Sequence, residues 1–298
     1  MTTPRLMAGF EAAPFGPHRC LLTSDGHLPH KAMDYHYDAL KALGIVTVRD
    51  ALPPWLPLAA RLRTAWKAGM AVVWDLDHYW QHEEPTAYAL RVASAVRREL
   101  PEWLPFWVCF NELHMAPMLC GLPTAEAQRR ARIILTVLRD ELPVVGLWTA
   151  EPAHHQPEVE AHAPLADEAE VIGLNLYPHE LSRPVEEVLR ETAARYPGKR
   201  IAITETGAHV GHFWRVRGDL YPPDLTKSQW LRHVREAVER SGVPVESVCL
   251  YPAIDGLNWT DHHLRNDSGL LRPDGEPDPD LAAAVREWTG ASAQEEAA

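Results

Sequence analysis

Short apolar runs rich in β-branched residues recur along this chain and alternate with longer amphipathic stretches of helical period. The runs with strand character are 6–11 (LMAGFE), 45–50 (IVTVRD), 71–78 (AVVWDLDH), 107–112 (WVCFNE), 145–151 (VGLWTAE), 171–178 (VIGLNLYP), 200–207 (RIAITETG) and 247–255 (SVCLYPAID). They are largely apolar rather than strictly alternating, as expected of strands covered on both faces. Helical periodicity fills 33–43, 55–69, 85–100, 124–142, 185–196, 226–242 and, after the last strand, 280–290. Gly44, Gly69, Pro105, Gly198 and Gly242 stand where helices should stop. Strands joined mostly by helical crossovers predict an α/β protein, a single (β/α)8 TIM barrel over 1–290 with 291–298 as a flexible tail. The competing architecture is an open doubly wound sheet with fewer true strands, and no GxGxxG or P-loop sequence supports it.

A barrel carries its chemistry at the C-terminal ends of its strands. The predicted ends here are polar throughout: Glu11; Arg49 and Asp50; Asp75, Asp77 and His78; Asn111 and Glu112, with His114 beyond; Glu151; Asn175 and Tyr177; Glu205; Tyr251 and Asp255. Burying a carboxylate unpaired is costly, so each needs a partner, a job or water. Any one of them alone reads as a salt-bridged structural group. Together they stand out, because the packed layers of a barrel interior are mainly apolar. Glu112 and Glu205 end strands three apart around the ring, which sets them across the mouth from each other. Two carboxyl groups roughly 5–5.5 Å apart can carry out a double displacement on a glycosidic bond. Arg49 is the candidate cation for holding Glu205 ionised, and Tyr177 the candidate hydrogen-bond donor to it.

Several of these segments resemble motifs of clan A glycoside hydrolases, and family 1, the β-glucosidase family, fits best. FNE at 110–112 resembles the Asn-Glu end of the family's strand four, and ITETG at 203–207 its strand-seven nucleophile motif. IVTVRD resembles the strand-two segment with the arginine that contacts the nucleophile. VVWDLDHYW resembles the strand-three HWDLP segment, with Val73 in place of its histidine and Asp77 in place of its proline. IGLNLYP resembles the strand-six segment bearing a tyrosine, and AIDGLNW the stretch that ends in the sugar-platform tryptophan, here Trp259. The family's glutamate before that tryptophan is Asn258 here, and Glu11 or His18 stands in for its sugar-binding glutamine. The chain is short for the family.

The resemblance implies a retaining β-glycosidase without a cofactor. Glu112 would be the acid/base and Glu205 the nucleophile. Arg49, Asn111, Tyr177, Trp259, Asp75, His78, Asn175, Glu11, His18 and Asn258 would contact the substrate, with Asn111 on the sugar 2-hydroxyl. Two other functions compete: a carbohydrate-binding barrel without turnover, and a metal-dependent sugar hydrolase or isomerase using strand-end histidines such as His154, His155, His209, His212, His262 and His263. The presence of both glutamates weighs against the first, and the absence of an HExxH pattern against the second.

Composition narrows the partners more than the fold. A net charge of −12 excludes nucleic acid as the main partner, since phosphate contacts need a Lys/Arg surplus. No run reads as a signal peptide or a membrane span, so a cytoplasmic protein with a small carbohydrate or glycoside as its partner is expected. None of the 4 cysteines forms a CxxC pair, and Cys109 and Cys249 lie in apolar runs, which predicts buried free thiols. Of the 11 tryptophans, Trp66, Trp230 and Trp288 fall on helices and are expected to pack. Trp55, Trp80, Trp214 and Trp259 fall in loops near the mouth, where a sugar ring could stack on them.

Overall fold

The computed structural model describes residues 3–10, 29–54, 57–77, 84–152, 165–208, 220–221, 225–257, 265–272 and 274–291. Eight parallel strands close into a barrel in sequence order: β1 (Arg5–Gly9), β2 (Thr47–Ala51), β3 (Ala71–Asp77), β4 (Phe106–Asn111), β5 (Val145–Pro152), β6 (Val171–Asn175), β7 (Arg200–Thr206) and β8 (Val245–Leu250). β1 pairs with both β2 and β8, so the sheet has no free edge. This is the predicted (β/α)8 barrel, and every predicted strand is present to within a few residues.

The helices lie where the periodicity placed them: α1 (Pro29–Ala42), α2 (Leu58–Lys67), α3 (Pro85–Glu99), α5 (Thr124–Glu141), α6 (Val185–Arg195), α7 (Lys227–Ser241) and α8 (Pro279–Thr289). A short α4 (Ala116–Cys120) follows a 3-10 turn at Leu113–Met115 and has no counterpart in the sequence reading. Local chemistry sets the helix boundaries. Thr226 and Gln229 form a reciprocal capping box on α7, and Asp278 caps α8 by accepting from the Leu281 N–H. Gly242 and Gly290 end these helices at positive φ, where a Cβ would be strained.

Two layers of core result. The larger one lies between the strands and the helices and includes Tyr37, Leu62, Val92, Ile134, Leu189, Trp230 and Val285. The smaller one fills the barrel with Met7, Val73, Cys109, Trp148, Val171, Ala202 and Cys249, against Trp107. Trp107 and Trp148 meet edge-to-face at 6.2 Å. A Cβ on Gly146 would fall 2.1 Å from the Trp107 ring, so that position admits the tryptophan only as glycine. Trp230 and Trp288 are buried as expected, whereas Trp66 is 40% exposed on the flank of α2. Cys109 and Cys249 are buried and unbridged, and burial pushes both thiols well above their ordinary range. Among the described residues, no helix is long and apolar enough to cross a membrane.

Two ladder irregularities shape the mouth. Between β3 and β4, Asp75 pairs with Cys109 but Asp77 with Phe110, which leaves Leu76 as an extra residue. Between β6 and β7, Leu174 pairs with Ile203 but Asn175 with Glu205, which leaves Thr204 extra. Such bulges re-aim side chains near sites. Ala202 points into the barrel, so strict alternation would turn Thr204 inward and Glu205 out toward the helices. The bulge lets both face the mouth.

Candidate active site

The mouth is organised around one buried cation. Arg49 sits on β2, where alternation sends it inward and its neighbour Asp50 outward. Asp50 is held between α1 and α2 by the Tyr37 hydroxyl at 3.1 Å and by Arg61. Burial raises the pKa of Asp50, and the Arg61 charge opposes that rise. This strand-end carboxylate is therefore a packing group. Arg49 does the opposite work. Its Nη1 donates to Glu205 Oε1 at 2.5 Å, and its Nη2 to both Asp75 Oδ2 and Asn111 Oδ1 at 2.7 Å. Burying a guanidinium is expensive unless its donors are satisfied, and two carboxylates with an amide satisfy this one.

Glu205 is buried and has a second partner. The Tyr177 hydroxyl donates to its other oxygen, Oε2, at 2.8 Å. Burial, and next the Glu205 charge, push the Tyr177 phenol well above its ordinary pKa, so it stays a neutral donor. Glu205 is thus held on one oxygen by a cation and on the other by a hydroxyl.

Glu112 follows the last residue of β4 and is only partly buried. Its backbone is left-handed, with φ 41° and ψ 52°. For a residue with a Cβ this conformation costs on the order of 1–3 kcal/mol, which the surroundings must hold. The Glu112 N–H donates to the Ala150 carbonyl on β5 at 2.7 Å, and the Glu112 carbonyl accepts from the Met115 N–H at 2.7 Å. Its side chain accepts from Asn175 Nδ2 at 2.9 Å.

Asn175 ties the halves together. The same Nδ2 lies 3.1 Å from Asn111 Oδ1, and Asn175 Oδ1 accepts from the Thr204 hydroxyl at 3.0 Å. A continuous polar chain therefore runs Glu112, Asn175, Asn111, Arg49, Glu205. It closes only because β6 lets β7 approach: a Cβ on Gly173 would fall 2.4 Å from Thr204 Cγ2 and 2.0 Å from the Thr149 carbonyl oxygen.

The structure thus brings together Glu112, Glu205, Arg49, Asn111, Tyr177, Asp75 and Asn175 from the sequence reading. Glu11, His18, His78, Asn258 and Trp259 lie outside the described residues, as do Trp55, Trp80, Trp214 and the histidines at 154, 155, 209, 212, 262 and 263. Val73 takes its place in the apolar layer, and Asp75, two residues on, is the β3 side chain that meets Arg49. Sequence reasoning missed Thr204, whose only signal was a hydroxyl inside an apolar run. It also left unused the contact between His114 and Glu151, 2.5 Å apart behind Glu112. Among the described residues, no group of three or more His, Cys, Asp or Glu is placed to hold a metal ion.

Fold and site together define a (β/α)8 barrel whose mouth carries two glutamates joined by a network centred on arginine. Over nearly its full length the chain matches family 1 β-glucosidases in structure. The family 1 β-glucosidase of Thermotoga maritima superposes with a TM-score of 0.66 at 12% identity, covering 98% of this chain and 99% of that one. A β-glucosidase from Exiguobacterium marinum gives 0.63 at 14% identity, covering 90% and 88%. A virulence factor bound to its substrate analog salicin gives 0.64 at 12% identity, covering 89% and 86%. No protein-family model matches the sequence, and no curated protein matches it by sequence.

Proposed function

We propose that this protein is a retaining glycoside hydrolase acting on a β-linked glycoside. The observation that carries this reading is the double hold on Glu205 by Arg49 and Tyr177, set against a partly exposed Glu112 that accepts from the Asn175 amide. A nucleophilic carboxylate must be ionised and fixed, whereas an acid/base must gain and lose a proton beside solvent. In the first step Glu205 attacks the anomeric carbon, the glycosidic C–O bond breaks, and the Glu112 proton goes to the departing oxygen. In the second, Glu112 takes a proton from water, the water oxygen attacks the anomeric carbon, and the ester bond to Glu205 breaks. Two inversions leave the β configuration in place, and no cofactor enters.

Asn111 and Asn175 set the spacing between the two carboxylates, and Asn111 is the proposed contact for the sugar 2-hydroxyl. Asp75, with its Oδ2 on Arg49, serves mainly to hold that guanidinium. The T. maritima enzyme has been solved with deoxynojirimycin, and the virulence factor with salicin, which supports a small glycoside as the substrate class.

The test is a panel of aryl β-glycosides with the wild type and Glu205→Gln. Activity on at least one is expected, with a loss on the order of 10⁴-fold or more in the variant, as when a covalent nucleophile is removed. A 2-deoxy-2-fluoro β-glycoside should label Glu205, read by mass spectrometry of the digest. Labelling at another residue would overturn the assignment. Turnover abolished by EDTA and restored by metal would favour a metal-dependent reaction instead.

A further inference from the structure

One ionisable pair close to the mouth, with its carboxylate buried and its imidazole partly so, has no part in the two chemical steps. His114 Nδ1 and Glu151 Oε2 lie 2.5 Å apart. His114 belongs to the 3-10 turn, two residues past Glu112. Glu151 is on β5, one residue past Ala150, whose carbonyl accepts the Glu112 N–H. The pair therefore joins the same two segments that the Glu112 backbone joins. Trp148 points into the barrel, so Glu151, three residues on, falls on the opposite face of β5 and braces the wall from behind. Burial raises the Glu151 carboxyl above its usual range, and His114 opposes that rise. His114 Nε2 is buried too, without a hydrogen-bond partner among the described residues. Removing either partner would leave the other without its compensating contact, so the pair ties the two segments together as long as both are present.

We propose that His114 and Glu151 are positioning residues for Glu112: their bond fixes the left-handed turn that aims its carboxyl at the leaving oxygen. This rests on the glycosidase reading above. The geometry supports it at three points. The strained residue is Glu112 itself, the pair begins two residues later, and it crosses to β5 one residue past the carbonyl that the Glu112 N–H reaches.

The test exploits leaving groups. The phenolate of a 2,4-dinitrophenyl glycoside departs without protonation, whereas that of a phenyl glycoside needs the acid, and kcat/KM reports the first step for both. Glu151→Leu removes the acceptor. It should lower kcat/KM on the phenyl glycoside about 10²-fold, the usual consequence of moving a catalytic group by roughly 1 Å, and leave the dinitrophenyl glycoside nearly unchanged. Glu151→Gln still accepts from Nδ1 and should stay near wild type on both. His114→Phe breaks the bond from the more exposed side while keeping the ring, and decides the matter if the leucine variant does not fold. Equal losses on both substrates, no loss on either, or a glutamine variant as damaged as the leucine one would each overturn the role. A wild type that neither cleaves these glycosides nor is labelled at Glu205 overturns the glycosidase reading itself, and the role falls with it.

Discussion

Glu112 and Glu205 are the same side chain on strands three apart, yet the barrel treats them in opposite ways. Glu205 lies within β7, buried, aimed inward by an extra residue in the ladder, and gripped on both oxygens. Glu112 lies past the end of β4, partly exposed, on a left-handed residue, with a neutral amide on one oxygen. The difference teaches how one fold gives one functional group two environments, each suited to one of the two proposed roles. In the proposed mechanism the arginine and tyrosine contacts hold the nucleophile in place, while solvent access lets the acid/base exchange its proton. The strain is stored on the second side, where the backbone turns a side chain that regular β structure would misdirect.

Removing the cation is the strongest way to break this asymmetry. Arg49→Met leaves two buried carboxylates and an amide without their shared partner. Breaking a buried ion pair from one side typically costs about 3–5 kcal/mol, so a large fall in Tm and loss of detectable glycoside turnover are expected together. A variant that keeps its Tm and its activity would show that Arg49 does not organise the mouth.

The opposite side should break selectively. Glu112→Ala is expected to lose roughly 10²–10⁴-fold in kcat/KM on glycosides with poor leaving groups, the usual contribution of general acid catalysis, and far less on activated ones. Azide is small enough to enter the vacated space and attack the intermediate, so it should raise kcat on an activated substrate and give a β-azide product. Full activity of the variant without azide would remove Glu112 from the mechanism.

How much of this asymmetry could be read from the chain depended on which forces carry it. The strands were legible because two-sided burial writes itself as apolar runs, as in 201–203 and 248–250. The mouth was legible because polar residues interrupt those runs at their ends. What escaped depends on neighbours. The bulge at Thr204 arises from the register between β6 and β7, which no local pattern encodes. The left-handed backbone at Glu112 is unmarked because the residue is not glycine or asparagine. Nothing in the spacing ties His114 to Glu151, 37 positions apart, until β4 and β5 lie side by side. Trp66 was expected to pack because it lies on an amphipathic helix, but it sits at the edge of the stripe formed by Leu58, Arg61, Leu62 and Ala65.

The finest probe of the comparison is the hydroxyl on the nucleophile side. Tyr177→Phe deletes one bond to Glu205 and leaves the Arg49 bond in place. A hydrogen bond to a charged group contributes about 1.5–3 kcal/mol, so a loss of roughly 10–100-fold in kcat/KM is expected, smaller than for the other two variants. The pH dependence makes this sharper. An ordinary tyrosine ionises near about pH 10, and a phenolate cannot donate to a carboxylate. Burial and the Glu205 charge hold the Tyr177 phenol well above that value, so it should still donate there. The ratio of wild-type to Tyr177→Phe activity should therefore stay level as pH rises through that range. A ratio that collapses there would mean the phenol titrates normally, and that the grip on Glu205 is looser than its two contacts imply.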